Sequence, residues 1–306
     1  MKKIHLQMQG LPLPLILVPY ASCGKIHALH RPDFVGQFEF NSRKKQLHFA
    51  QREVDYISTL IQNLVPTQDL MEGGRYISVT HKLQLTMIDG KVCNALILTL
   101  SSRKCYVCGA TPTEMNKLDV STRKEVDVTV YELGLSMLHA WIRFFECLLH
   151  ISYRMEVKKW QIRKQDHEKV QQRKHLIQEK FRKEMSLLVD VPKPGGSGTT
   201  NDGNTARRFF RDPTLSASIT GIDKTLIRKC SVTLQALSSG YRVNVTAFDN
   251  YAKETAKLFV SLYAWYYMPA SVYKVLIHGS VIVSAALLPI SQLSEEAQEA
   301  RNKDIL

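Results

Sequence analysis

The stretch LSMLHAWIRFFECLLHISYRM, residues 135–155, constrains the fold of this chain more than any other. Apolar side chains recur on most faces of the helix it would form, and its few polar positions do not make a solvent-facing side. Such a helix has to be wrapped by other elements. The chain has 306 residues and 44% hydrophobic content, enough to wrap it within one large domain or two ordinary ones. Its two histidines, His139 and His150, read as core residues with local partners rather than as ligands.

Other elements can be read around it. VGQFEFN, residues 35–41, alternates weakly and reads as a strand. QLHFAQREVDYISTLIQNL sets Phe49, Val54, Ile57, Leu60, Ile61 and Leu64 at helical spacing, and Pro66 ends that helix. MEGGRY is a turn. Ile77, Val79, His81, Leu83, Leu85 and Met87 then alternate with polar residues in the clearest strand of the protein, which closes at Asp89-Gly90. An aspartate there can be a plain turn former or a carboxylate presented at a strand tip. Residues 253–291 read as two helices broken at Pro269, with Trp265, Tyr266 and Tyr267 clustered before the break as core aromatics or as a stacking surface for bases.

Charge adds a second constraint. Lys and Arg number 41 against 28 Asp and Glu, a net +13. Residues 154–211 hold fifteen of the cations and seven of the acids. The balance favours a nucleic acid or an anionic surface as partner, although a merely soluble basic protein would look the same. KKWQIRKQDHEKVQQRKHLIQEKFRKEM reads as one long helix with sparse apolar positions. Lys158, Lys159, Arg163 and Lys164 at its start are candidate contacts to a phosphate backbone. NTARRFFRDP starts another helix with Arg207 and Arg208 near its first turn, a natural seat for phosphate.

The six cysteines are too few and too scattered for a disulfide scaffold. Cys105 and Cys108 form a CxxC, read as metal ligands in a reducing compartment, with a redox pair or two core thiols as the alternatives. The opening MKKIHLQMQGLPLPLILVPYASCG mimics a secretory signal, but Pro12 and Pro14 interrupt its apolar run, which is too short to span a bilayer. It reads better as a buried strand with proline at its edge.

Six segments stand in a telling order: LTMIDGKVCNAL, CYVCGATPTEMN, LHAWIRFFECLLHISYR, NDGNTARRFF, WYYMPASVYKVLIHGS and LLPISQLSEEAQEARNKD. In them the chain resembles the Transib transposases and their relative, the catalytic subunit of the V(D)J recombinase, over about residues 45–304. The resemblance implies an α/β fold: an incomplete RNase H-like core interrupted by a large, mainly helical zinc-binding insertion. It divides the chain into a partial RNase H-like domain at 1–92, the insertion at 93–285 and a returning RNase H-like helix at 286–306.

The implied chemistry is cut-and-paste DNA transposition, with metal-dependent nicking and hairpin-forming strand transfer. Three carboxylates would hold two Mg²⁺ or Mn²⁺ ions, one to activate the nucleophile and one to stabilise the leaving oxygen. The resemblance assigns Asp89 as the second aspartate and Glu299 as the glutamate, with Glu295 a rival one turn earlier. Asp33 is the single aspartate in residues 1–54, and nothing like the family's first-aspartate motif surrounds it. A truncated copy, inactive alone, is therefore expected. The implied zinc ligands are Cys105, Cys108 and His278, and Tyr273 stands where the family has its other histidine, which weakens the site.

The implied partners are double-stranded DNA at transposon ends and a second copy of the chain, in the nucleus, with no membrane. Two other readings stay open. One is a non-catalytic DNA-binding or dimerisation module derived from a transposase, and the other is an unrelated secreted basic protein.

Overall fold

The computed structural model of the protein describes residues 6–8, 43–65, 67–71, 75–81, 93–94, 96–97, 101, 103–121, 125–193, 198–286 and 288–293. In chain order they form β1 (Leu6–Met8), α1 (Arg43–Gln62), β2 (Thr67–Met71), β3 (Arg75–His81), α2 (Pro112–Met115), α3 (Leu118–Ser121), α4 (Met137–Tyr153) and α5 (His167–Met185). There follow α6 (Gly203–Arg211), α7 (Pro213–Thr220), α8 (Lys224–Leu237), α9 (Val245–Tyr263), α10 (Ala270–Tyr273) and α11 (Gly279–Ala285). A π-helical turn, Lys274–His278, joins the last two.

Helix α4 is the buried helix that residues 135–155 demand. Ser136 caps its start by accepting the His139 N–H, and its hydroxyl lies 2.7 Å from His139 Nδ1. Trp141, Phe144, Phe145, Leu148, Leu149 and Ile151 are all buried along it. Helix α6 packs on it through aromatic rings. Phe209 sits 5.1 Å from Phe145, 6.0 Å from Phe181 of α5 and 4.9 Å from Phe210, and Phe210 sits 5.7 Å from Trp141. Tilted and edge-on pairs at these separations add to the area they bury. One cluster of buried side chains runs from Cys93 to Ile290, so residues 93–285, expected as a mainly helical insertion, share a core with Ile290 beyond them.

The described residues are mostly helical, and they do not support the expected α/β core. Their sheet has three short antiparallel strands in the order β1-β3-β2. Leu6 pairs with His81, Thr67 with Val79 and Met71 with Arg75. Period-two alternation marks β3 as a strand but says nothing of how many neighbours it has. The rest of that strand up to Asp89, the strand expected at 35–41, Pro12 and Pro14, and the helix carrying Glu295 and Glu299 lie outside the described residues.

The long basic helix expected from Lys158 starts later than its charge pattern suggests. Helix α5 begins at His167, after a 3-10 turn at Lys164–Asp166. Lys158 has left-handed backbone, φ 48°, and Trp160 and Ile162 turn onto the core instead of following a helical stripe. Lys159 binds the Asp166 carboxylate at 2.8 Å. Trp160 and Ile162 are half-buried against the core rather than set on a solvated face.

Candidate metal centre

The CxxC turn is built by its backbone. Cys105 N–H donates to Ala110 O at 2.9 Å, and Gly109 N–H donates to Cys105 O at 2.7 Å. Gly109 lies at φ +67°, a left-handed conformation that side chains resist. The chain then enters α2, where Thr111 and Glu114 form a capping box. Both cysteines are buried and neither is in a disulfide.

The partner segment arrives 165 residues later. Three tethers hold it against the CxxC turn. The Asn116 amide donates to Tyr266 O at 2.9 Å and accepts from Met268 N–H at 2.9 Å, which fixes the chain before α10. Lys274 Nζ donates to the Tyr106 hydroxyl at 2.6 Å. The Tyr273 hydroxyl lies 3.7 Å from Cys108 Sγ, across those 165 residues.

The π-turn then carries His278 into the same place. Donor atoms of Cys105, Cys108 and His278 all lie within 4.8 Å of one another, and all three residues are buried. His278 Nε2 is buried with no hydrogen-bond partner. A buried polar atom left without a hydrogen-bond partner costs free energy, and this one belongs to the imidazole that meets the two thiols. Proton sharing with Cys105 draws the Cys108 thiol down, against burial and with help from His278, and the same sharing together with burial pushes Cys105 up. Two sulfurs and one imidazole nitrogen make a donor set that suits a zinc ion. A pocket of about 60 Å³, lined by Asn94, Lys104, Tyr106, Ser271 and Lys274 among others, reaches Cys105 from outside.

The expected phosphate contacts differ in exposure and in partners. Lys158, Arg163 and Lys164 are exposed. Lys159 is tied to Asp166. The Arg207 guanidinium stacks over Trp141 at 5.6 Å, and Arg208 donates to Met185 O. Both lie past the first turn of α6, whose start is capped by the Asp202 carboxylate accepting from Thr205 N–H at 2.8 Å. An anionic cap already takes one of the amides on which a phosphate would sit. The exposed cations of α5 are Lys169, Lys180, Arg182 and Lys183. Of the aromatic cluster, Tyr266 is buried, with Trp160 4.7 Å away and Arg154 over both rings, while Trp265 and Tyr267 are half-buried.

Asp89 and Glu299, the expected Mg²⁺ or Mn²⁺ ligands, lie outside the described residues. Among the described residues no helix is long and apolar enough to cross a membrane. No family model matches this chain. No curated protein matches it significantly.

Asn116, Tyr106 and Lys274 are the residues that motif reasoning passes over. A lone Asn after a short helix carries no pattern of its own. The five-residue step from Tyr273 to His278 does carry one, because it fits no α-helical face.

Proposed function

We propose that this chain derives from a Transib-type cut-and-paste transposase and acts as a double-stranded DNA-binding module without catalysis of its own. The observation that carries the reading is the buried meeting of Cys105, Cys108 and His278 from opposite ends of the helical body. The resemblance pairs those three residues, and proximity in the chain does not. A zinc ion held by them would fasten the CxxC turn to the π-turn and so set the shape of the body. The excess of cations in residues 154–211, with Lys158, Arg163, Lys164 and the α5 cations exposed, supports phosphate contact. The proposal includes a nuclear setting and a homodimer. It gives Asp89 and Glu299 no part in binding, and the Mn²⁺ arm of the test asks whether they have one in cleavage.

The test is binding of a labelled duplex over a salt series, with and without Mn²⁺. The association constant should fall steeply with salt, with a log–log slope of about −0.9 per phosphate neutralised. Reversing Lys158, Arg163 and Lys164 together should flatten that slope, and Asp89→Asn or Glu299→Gln should leave it unchanged. Binding that ignores salt would overturn the reading. Mn²⁺-dependent cleavage that is lost in Asp89→Asn would replace it with an enzymatic one.

A further inference from the structure

We infer that the Tyr273 hydroxyl is the fourth donor of the metal centre, which makes it a two-sulfur, one-nitrogen, one-oxygen site. The inference rests on the reading that Cys105, Cys108 and His278 hold a zinc ion.

The argument starts from helix geometry. In an α-helix, residues five apart point about 140° away from each other, so Tyr273 and His278 would face different neighbours. Here the backbone between them is a π-turn, in which hydrogen bonds run from residue to fifth neighbour and bring such a pair onto one face. Their rings are 5.5 Å apart at 78°. π-turns are rare and cluster at functional sites. This one costs regular α-helical bonding, and what it brings together is a phenol and an imidazole.

Position supports the same conclusion. Tyr273 is 0% exposed, and its hydroxyl lies 3.7 Å from Cys108 Sγ. Cys108 in turn shares a cluster with Cys105 and with His278, whose Nε2 has no hydrogen-bond partner. A bulky phenol that only filled space would have no need to aim its oxygen at a ligand sulfur. Four donors from two segments match the coordination number that structural zinc sites require. On binding, the phenol O–H bond breaks as the oxygen–metal bond forms, and the proton leaves to solvent. Binding should therefore release one more proton than a site completed by water.

The experiment titrates the full-length chain with Co²⁺ and with Zn²⁺. Co²⁺ should give a thiolate charge-transfer band, which reports the cysteines. Zn²⁺ should give a tyrosinate difference signal in the near ultraviolet, and this wild-type readout needs no variant. Tyr273→Phe should keep the thiolate band, lose the tyrosinate signal and bind Zn²⁺ at least about tenfold more weakly. Tyr273→His should bind more tightly than wild type. A thiolate band without a tyrosinate signal, or unchanged affinity in Tyr273→Phe, overturns the inference and leaves the three-residue site standing. Absence of the thiolate band sinks both.

Discussion

Gly109 is the residue on which the CxxC turn depends most directly. At φ +67° an L side chain is disfavoured by about 1–2 kcal/mol, and no atom lies within 4 Å of where its Cβ would stand. The cost of Gly109→Ala is therefore backbone strain alone. Thermal unfolding should register a loss of about that size, together with weaker metal retention. Gly109→Asn should recover part of it, because Asn tolerates the left-handed region. Equal stability of the alanine variant and wild type would show that the turn is not held as described. The two cysteines of this turn were legible from spacing, since a CxxC is a local device. Asn116 was not legible, because its work is done against Tyr266 and Met268 on a distant segment.

Helices α9 and α11 illustrate how elements are fixed here. Ser280 of α11 donates to Asp249 of α9 at 2.7 Å, and Lys253 binds the other carboxylate oxygen at 2.6 Å. Burial pushes the Asp249 carboxyl up, but Lys253 and Ser280 outweigh it and hold it below its ordinary value of 3.8. A depressed carboxylate contributes stability above its unfolded pKa and loses it as pH falls through the folded one. Asp249→Asn should cost about 1 kcal/mol at neutral pH, a modest figure because Lys253 is half in solvent, and less at an acid pH below the depressed folded value. Denaturant titrations at both pH values check it, and a pH-independent cost would refute the clamp. Long periodic elements such as α1 and α4 could be read from sequence, because burial of one face or all faces leaves a pattern. The start of α5 and the strand TQDLM at Thr67–Met71 could not. The first is set by where Trp160 meets Tyr266, and the second by pairing with β3.

At the scale of the molecule, the Cys105, Cys108 and His278 group joins two stretches that the chain keeps far apart, while the aromatic pairs around α4 are made among side chains of α4, α5 and α6. Phe145, Phe181, Phe209 and Phe210 pack on each other without help from Cys105 or His278. Removing the metal should therefore loosen one end of the body rather than unfold it. A strong chelator should lower the melting temperature, each 1 kcal/mol lost moving it about 2–4 °C at this size. Amide exchange should rise in residues 103–116 and 266–282 and stay slow along α4 and α6. The Cys105→Ser variant should reproduce that exchange pattern with or without chelator, because three donors including Tyr273 hold zinc less well than four. If chelation instead exposes α4 and α6 as well, the centre is a precondition of the whole core. If it changes nothing, the three buried ligands are core side chains, and the orphaned His278 nitrogen is met by something other than a metal.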